Sequence, residues 1–548
     1  MLYATMRIGN NCEYFLFQSM DKKNIGLRRM WDKVRNWWLG SKAEPHVKAP
    51  VRFTNFLLLA FAGKSRRDYV TLPNNFDLKL LKTQYPPENY GFRHGIVFRD
   101  FKVLYILHLL SSIPGRNSDL ISESGFIPIH TPTLQRHMRD YNLYLDYLVN
   151  TGVLVCDGQY IAGKRSRGYK WAPRYENSVY ESKLVLIGDY SQDSQIDSAE
   201  DRENYPYLFY WYDQKKLQID GQAYGYAESI RRIRMQDSTR ASWDWNRDKH
   251  QYKNPSTQYM AVIRNISKIT SQDYEPHIDG NVHRLHSVLT NIQKDFRNFI
   301  TYDEQQLVGI DIKNCQPYLT CLILNLGFWD RDSGLPLTLY NLPDNIQQLF
   351  ASEQLKKQVH RYFAALTDSD IAAYKQLVSS GHIYEEIRDI ANDQITPRQV
   401  RIERDDAKIL MFYLLFSGNR GQHDDPMINN LKRIFTTELY PKVAELFRII
   451  KRNYSDCPME DPHSRLSRML QAIESTIILH KCCKRIWVER EHTIPIFTIH
   501  DSIVTTQEHY EYVRQVMHEE LTRYIGMPPS LSIETWNIAN LNQNILLS

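Results

Sequence analysis

The stretch Leu307-Val-Gly-Ile-Asp-Ile-Lys-Asn-Cys-Gln-Pro-Tyr-Leu319 decides the fold. Its first residues are mostly apolar and lead into Asp311, and Pro317 opens another long apolar run. This pattern predicts a buried strand with a carboxylate at its exposed end, followed by a helix. A carboxylate there can hold a divalent metal at the mouth of a cleft, although an aspartate that caps the next helix is the commoner explanation. A second carboxylate of this kind would favour the interpretation of Asp311 as a metal ligand.

That second carboxylate follows an apolar run near the end of the chain. The stretch Ile494-Pro-Ile-Phe-Thr-Ile-His-Asp-Ser-Ile-Val-Thr505 leads into His500 and Asp501, and β-branched residues come soon after them. This pattern predicts a hairpin with His500 and Asp501 at its turn. If the strands that carry Asp311 and Asp501 are neighbours, the two carboxylates can hold two divalent ions roughly 3.5–4 Å apart, an arrangement used for in-line phosphoryl transfer.

The stretch Arg404-Asp-Asp-Ala-Lys-Ile-Leu-Met-Phe-Tyr-Leu-Leu-Phe-Ser-Gly418 is the most informative one. Arg404, Lys408 and Phe412 are spaced four residues apart, so a helix places two cations and an aromatic ring on one face. Such a face matches a nucleoside triphosphate laid lengthwise, with the cations at the phosphates and the ring at the sugar and base. The alternative is an amphipathic helix with an exposed basic stripe, which explains most pairs of this kind.

Taken together, these stretches resemble the family A DNA polymerases, and the phage replicative members most of all. Arg404 to Gly418 is similar to the family's nucleotide-binding fingers helix, Leu307 to Leu319 to its first palm motif, and Ile499 to Ser502 to its last palm motif. Phe296–Ile300 resembles the family's strand that precedes the first metal aspartate. Two further segments, His283–Ser287 and Thr290–Gln293, resemble the parts of the family that grip primer and template. These landmarks occur in the family's order, over about residues 280–510.

The resemblance implies an α+β multidomain protein with a right-hand polymerase architecture, in which a palm built on an antiparallel sheet carries helical fingers and thumb. It implies two Mg²⁺ ions, or Mn²⁺ in their place, held by Asp311 and Asp501, and it makes Lys408 the general acid for the leaving pyrophosphate. The implied partners are a nucleic acid template–primer and nucleoside triphosphates, with no membrane. The residues implied to contact these partners are Arg404, Lys408, Phe412 and Gln316 for the nucleotide, and Arg284, Arg297 and His500 for primer and template.

Three positions depart from the family's pattern. Gln316 stands where the family has a glutamate that crowds the 2′ position of the incoming sugar, so the exclusion of ribonucleotides is an open question. Phe416 replaces a tyrosine and lacks its hydroxyl. Ser502 replaces the glutamate after the second metal aspartate, and Ile-His-Asp-Ser is similar to the motif of phage-type single-subunit RNA polymerases. Residues 1–275 contain no convincing exonuclease motif, so proofreading is not expected.

Residues 96–180 resemble a winged helix within a mainly helical N-terminal part. A helix predicted over residues 131–150 precedes a hairpin with the basic tip Gly163-Lys-Arg-Ser-Arg-Gly168. In a DNA-binding version the helix enters a groove, and the phosphate contacts come from Lys164, Arg165 and Arg167. In the alternative version the same fold serves packing or protein contact. The predicted domains are a basic and aromatic region (1–95), the winged helix (96–180), a linker with a thumb-like helical region (181–275), and the palm and fingers (276–548).

Composition narrows the class of protein without naming a function. The 548 residues suffice for two to four domains, and the net charge of +5 permits a polyanionic partner without requiring one. The 7 cysteines form no CxxC pair, which argues against zinc ribbons and disulfide scaffolds. Together with the absence of a visible signal peptide, this predicts a reduced, cytoplasmic protein.

The function predicted is that of a template-directed nucleotidyltransferase. The specific expectation is a DNA polymerase without proofreading that replicates a phage, a plasmid or a mobile element. Gln316 and Ser502 favour a first alternative, a single-subunit RNA polymerase or primase-like enzyme. The second alternative is a non-catalytic nucleic-acid-binding protein of replication or regulation.

Overall fold

The computed structural model describes residues 4–8, 11–15, 66–542 and 545, except for residues 94, 162–164, 189–198, 247–250, 367–369 and 395–400. Contacts between residues divide the chain into two compact units, Met1–Gly63 and Lys64–Ser548. In the first unit, β1 (Ala4–Ile8) and β2 (Asn11–Phe15) pair as an antiparallel hairpin. Most of the basic and aromatic region predicted over 1–95 lies outside the described residues, and the predicted domain boundaries stay predictions.

The strands of the second unit pair antiparallel throughout the described residues. In chain order they are β3 (Arg66–Pro73), β4 (Ile127–Pro128), β5 (Leu154–Cys156), β6 (Gly168–Trp171), β7 (Tyr180–Gly188), β8 (Leu217–Ile219), β9 (Trp245–Asn246), β10 (Gln251–Tyr252), β11 (His277–Ile278), β12 (Leu285–His286), β13 (Ile300–Tyr302), β14 (Gln305–Ile312), β15 (Ile496–Ile499), β16 (Ser502–Thr506) and β17 (Leu531–Thr535).

Helices occupy most of the remaining described chain. They are α1 (Leu78–Gln84), α2 (Asp100–Arg116), α3 (Thr131–His137), α4 (Tyr141–Asn150), α5 (Pro173–Glu176), α6 (Ala199–Asn204), α7 (Pro206–Asp213), α8 (Gln222–Gln236), α9 (Pro255–Thr270), α10 (Val288–Asn291), α11 (Lys294–Arg297), α12 (Cys315–Ile323), α13 (Asp344–Gln347), α14 (Glu353–Ala364), α15 (Ile371–Ser380), α16 (Ile383–Gln394), α17 (Arg404–Phe416), α18 (Pro426–Ile434), α19 (Pro441–Ile450), α20 (Ser464–Ile477), α21 (Lys484–Glu489) and α22 (Tyr510–Ile525). In the described part of the chain, no helix has both the length and the apolar character to cross a membrane.

A six-stranded antiparallel sheet positions the residues that the sequence singled out. Its order is β15-β16-β14-β13-β8, and β17 pairs with β14 as well. Strand β14 is thus paired along both edges, with Asp311 opposite Ser502 of β16 and opposite Ser532 of β17. The turn between β13 and β14 is formed by Asp303 and Glu304, which both have positive φ, as a two-residue turn of type I′ requires. The predicted mixture of helix and antiparallel sheet is confirmed.

Helix α12 follows β14 after Lys313 and Asn314, and all of its residues are buried. Its N-cap residue is Asn314, which has the left-handed φ of 42°. Asp311 is therefore part of the strand and does not cap the helix. The commoner explanation for this carboxylate, a helix cap, does not hold.

The segment with the predicted helix 131–150 contains two helices, and that prediction was wrong. Helix α3 ends before Met138, whose backbone is extended, and α4 begins at Tyr141. The ammonium of Lys102 lies 2.5 Å from the carboxylate of Asp140 within the break. Flanking α3 and α4 is a three-stranded sheet of order β4-β6-β5. Apolar side chains on both sides of the break are buried, so the spacing of apolar residues continues across it and cannot reveal it: Leu134, Met138, Leu145 and Leu148.

Candidate active site

Asp311 and Asp501 lie at the same end of neighbouring strands. Asp311 is opposite Ser502 in the pairing of β14 with β16, and Asp501 stands directly before Ser502 in the β15–β16 turn. His500, the other turn residue, has a φ of 53°, which fits a two-residue hairpin turn. Both carboxylates line one cavity of about 560 Å³. The predicted hairpin is confirmed, and the strands that carry the two aspartates are neighbours, which is the condition for a shared site.

Burial and neighbouring charges shift the pKa values of the two aspartates. Burial raises the pKa of Asp311 to about 7, and the carboxylates of Asp501 and Glu534 add to this rise. Burial also raises the pKa of Asp501. The ammonium of Lys408 opposes the rise at both aspartates, and that of Lys294 opposes it at Asp311. A cation bound between the two aspartates would relieve the repulsion that Asp501 exerts on Asp311.

Asp311 and Asp501 fit a magnesium site that a substrate completes. Carboxylate oxygens are preferred ligands of Mg²⁺, and this ion usually binds through one or two carboxylates together with waters and substrate phosphates. Among the described residues, no group of three or more His, Cys, Asp or Glu side chains could hold a metal ion by itself. The donor set therefore suits a metal that arrives with a phosphorylated substrate better than a structural metal.

Helix α17 presents its cations and one ring to the same cavity. Arg404, Lys408 and Phe412 line it together with the two aspartates. The ammonium of Lys408 lies 5.8 Å from the centroid of the Phe412 ring. The helical face predicted from the spacing of Arg404, Lys408 and Phe412 therefore shares a cavity with the two carboxylates. An amphipathic face turned to bulk solvent would not do so.

Side chains fix α17 at both of its ends. At the start, Glu403 and Asp406 form a capping box. At the other end, the buried ammonium of Lys451 donates to the carbonyl oxygens of Leu414 (2.5 Å) and Ser417 (3.0 Å), which lack helical partners. Burial lowers the pKa of Lys451 to about 7. These contacts set the helix position, and with it the position of Lys408 relative to the carboxylates.

Helix α16 adds two residues to the site that the sequence did not predict. The guanidinium of Arg404 donates to the carboxylate of Glu385 at 2.6 Å and lies 5.1 Å from the ring centroid of Tyr384. Tyr384 and Glu385 line the cavity as well. No motif marks them, because their role depends on how α16 packs against α17.

Glu474 is a third buried carboxylate of the site, and it too was missed. It accepts hydrogen bonds from the guanidinium of Arg284 (2.7 Å) and from Nε2 of Gln316 (2.6 Å). The sequence holds one signal for it, since Glu474 interrupts the apolar face of α20 between Leu470 and Ile477, where a charge needs a buried partner. That signal gives no partner and no distance, so the role of Glu474 emerges only from the fold.

The other predicted site residues divide into two groups. Arg297 lies near Asp311: burial lowers the pKa of Arg297, and the charges of Glu534 and Asp311 oppose this change. Arg165 and Arg167 are exposed at the tip of the β5–β6 hairpin and do not line the cavity. Lys164 lies outside the described residues.

Comparisons with known proteins give little at the level of sequence. No family model matches the chain, and no curated protein matches it. Among solved structures, the chain is similar to the POL domain of Pol1 from M. smegmatis, determined in complex with DNA primer-template and dNTP. That likeness has a TM-score of 0.25 and 11% sequence identity, and it covers 61% of this chain and 67% of the other. This is a weak similarity to a DNA polymerase domain.

Proposed function

We propose that this protein is a template-directed nucleotidyltransferase, and more specifically a DNA polymerase of the family A type that lacks proofreading. One observation carries the proposal. Two carboxylates from neighbouring strands and the Arg404–Lys408–Phe412 face of α17 line a single cavity. Metal-binding oxygens, phosphate-binding cations and a ring for the nucleoside are the three parts that transfer of a nucleotidyl group needs.

In this proposal each side chain has a defined task. Asp311 and Asp501 hold two Mg²⁺ ions, which when bound favour ionisation of the attacking hydroxyl and neutralise the triphosphate. Arg404 and Lys408 bind the phosphates, and Lys408 delivers the proton that the leaving pyrophosphate takes up. Phe412, with 38% of its surface exposed, packs on the nascent base pair. Because the template selects the base, the protein recognises the shape of the base pair and not its sequence.

The proposal extends to the parts of the architecture. The six-stranded sheet is the palm, α17 belongs to the fingers, and residues 181–275 contribute a thumb. Arg284, Arg297 and His500 contact primer and template. Residues 96–180 are a winged helix whose contact with nucleic acid comes from the exposed tip with Arg165 and Arg167. The exposed positions of α4 are Asn142, Asp146 and Asn150, and none of them is a cation.

Gln316 favours a second candidate function, the synthesis of RNA. Its side chain is neutral and lines the cavity beside Asp311. The carbonyl oxygen of this amide can accept a hydrogen bond from the 2′ hydroxyl of a ribonucleotide. A single-subunit RNA polymerase or primase-like enzyme would use ribonucleotides, with or without a primer.

One experiment separates these functions. The full chain is incubated with Mg²⁺ and primed or unprimed DNA or RNA, with dNTPs or rNTPs supplied separately, and the products are resolved by length. Extension of a primer with dNTPs supports the DNA polymerase. Products made from rNTPs on an unprimed template select the RNA synthase, and duplex binding without any incorporation supports the non-catalytic alternative.

Metal binding is expected to weaken as the pH falls below 7. The pKa of Asp311 is raised to about 7, so a proton occupies the carboxylate below that pH and must leave before the metal binds. The dissociation constant for Mg²⁺, measured by calorimetry between about pH 6 and about pH 8, should rise about tenfold per pH unit below 7. Equal affinity across that range would contradict the assignment of Asp311 as a ligand.

Glu385→Gln is expected to lower the KM for the triphosphate. The side chains of Arg404 and Glu385 are 45% and 30% exposed, so breaking their ion pair costs little free energy. The carboxylate of Glu385 also repels an incoming phosphate. The expected gain is about two- to fivefold, the size of one exposed ion pair. Glu386→Gln is the matched control, since Glu386 is exposed on the same helix and does not line the cavity. A higher KM in Glu385→Gln would mean that Glu385 is needed to orient Arg404.

A further inference from the structure

Glu474 is bound by three donors inside the protein. Its side chain is 2% exposed, and its carboxylate accepts from Arg284 (2.7 Å), from Nε2 of Gln316 (2.6 Å) and from the thiol of Cys315 (3.8 Å). An ionised carboxylate only accepts hydrogen bonds. The Gln316 atom that faces Glu474 is accordingly the nitrogen Nε2, which donates to the same oxygen, Oε2, that accepts from Arg284.

This contact fixes the polarity of the Gln316 amide. With Nε2 on Glu474, the carbonyl oxygen Oε1 is directed elsewhere, and it is buried without a hydrogen-bond partner among the described residues. Gln316 is 9% exposed and lines the cavity together with Asp311 and Asp501. Buried acceptors in native proteins are almost always satisfied, by the protein, by water or by a ligand. Because this acceptor belongs to a residue that lines the cavity, a donor group of a bound substrate can satisfy it.

The chemistry of a nucleotide limits which group that is. Phosphate oxygens are acceptors and cannot bind a carbonyl oxygen. In a nucleoside triphosphate the donors are the amino and imino groups of the base and the hydroxyls of the sugar. The imino groups and one hydrogen of each amino group are used in pairing with the template, and the amino hydrogen that is left differs in position between bases and is lacking in thymine and uracil, so it cannot serve all four nucleotides. The sugar hydroxyls remain, as the 2′ group of a ribonucleotide or the 3′ group of either kind.

We infer that Glu474 is a positioning residue, which orients Gln316 so that its carbonyl oxygen accepts a hydrogen bond from a sugar hydroxyl of the incoming nucleotide. The inference rests on the proposed function and adds a determinant of sugar choice to it. Arg284 and Cys315 hold Glu474 in place, and Glu474 in turn determines which atom of Gln316 faces the substrate.

The test uses exchanges of acid and amide that keep side-chain size. In Glu474→Gln, the new amide can keep its carbonyl on Arg284 and donate to Gln316, so the Gln316 amide reverses and presents nitrogen to the cavity. In the double variant Gln316→Glu/Glu474→Gln, the new amide at 474 donates to the new carboxylate at 316. The other oxygen of that carboxylate again offers an acceptor. Gln316→Leu removes the acceptor and leaves Glu474 unchanged.

The readout is the equilibrium affinity of each full-length variant for rNTP, dNTP and 2′,3′-dideoxy-NTP, next to incorporation of the same nucleotides. We expect the wild-type chain to favour the nucleotide with the accepted hydroxyl by about tenfold, the size of one hydrogen bond to a buried acceptor. Preference for rNTP over dNTP identifies the 2′ hydroxyl, and preference for dNTP over the dideoxy form identifies the 3′ hydroxyl. Glu474→Gln and Gln316→Leu should lose that preference, and the double variant should regain it.

Loosening of Arg284 alone would change affinity for all three nucleotides equally, so the ratio separates positioning from a general structural role. Thermal melting establishes that each variant is folded. An unchanged ratio in folded Glu474→Gln, or a double variant no better than it, overturns the inference even if the chain incorporates nucleotides. A hydroxyl preference that depends on Glu474 in a chain that incorporates none would support the inference and overturn the proposed function.

Discussion

Asp311→Asn is expected to reduce nucleotide incorporation by about a thousandfold or more. Metal ions contribute several kcal/mol to the stabilisation of a phosphoryl-transfer transition state, and each 1.36 kcal/mol is about tenfold in rate. Asn keeps the size of the side chain but removes the charge that would bind the ion. Single-turnover extension of a primer with one labelled nucleotide measures the loss, and Asp501→Asn should match it.

The same substitution is expected to stabilise the metal-free protein. The pKa of Asp311 rises from 3.8 to about 7 on folding, so between these values the native state binds more protons than the unfolded state. The free energy of unfolding therefore falls as the pH rises through that window. Asn has no carboxylate to ionise, so Asp311→Asn should melt at a higher temperature than the wild-type chain. The difference in Tm should be absent near pH 4, grow up to about pH 7 and then stay constant. Thermal melting in EDTA measures it.

Asp303→Asn is the control for both measurements. Asp303 also lies at a turn next to β14, but it is exposed and pairs with Lys216 at 2.6 Å on the surface. Asn tolerates its positive φ, so the substitution should change neither incorporation nor the pH dependence of Tm. Loss of stability in Asp311→Asn above pH 7 would contradict the account of two carboxylates held together against their repulsion.

Lys408→Met should impair use of the triphosphate far more than binding of template and primer. Lys408 is close enough to Asp311 and Asp501 for its charge to lower the pKa of both, and it shares their cavity. Loss of a general acid costs about 10²- to 10⁴-fold in rate. We expect a fall of that size in kcat/KM for the nucleotide, with less than about a twofold change in the Kd for template–primer, where one screened charge counts little.

Lys408→Arg divides the two tasks of this residue. Arg keeps the positive charge but does not release its proton in proteins, so it should restore KM and leave kcat low. Lys356→Met is the matched surface control, because its ammonium pairs with Glu353 at 2.8 Å on α14 and does not line the cavity. Equal losses of nucleotide use and template binding in Lys408→Met would instead identify a general basic surface.

The central features of the site could be predicted because they depend on short periodic patterns. Apolar runs ending in Asp311 and Asp501 predicted strands and a hairpin, and the pairing of β14 with β16 brings these ends together. The four-residue spacing of Arg404, Lys408 and Phe412 predicted one helical face, and this face lines the cavity. In both cases the spacing of residues along the strand or helix already indicates on which side the side chains lie.

Glu385 and Glu474 could not be predicted in the same way. Glu474 meets a partner 158 residues away in Gln316, and Glu385 meets Arg404 across the contact between α16 and α17. Helical spacing assigns each carboxylate to a face, but only tertiary packing selects the opposing side chain. The break between α3 and α4 could not be predicted either, because the buried apolar side chains on its two sides keep the same helical spacing.

The most direct test of the proposed function is templated addition of a single nucleotide. The full-length chain is mixed with Mg²⁺, a primed template and each nucleotide in turn, beside Asp311→Asn and Asp501→Asn. We predict that the wild-type chain adds the nucleotide complementary to the template base, and that changing this base changes the nucleotide added. Both variants should add it about a thousandfold more slowly or not at all. Absence of addition by the wild-type chain with every template, primer and sugar, or addition by both variants at its rate, would contradict the account.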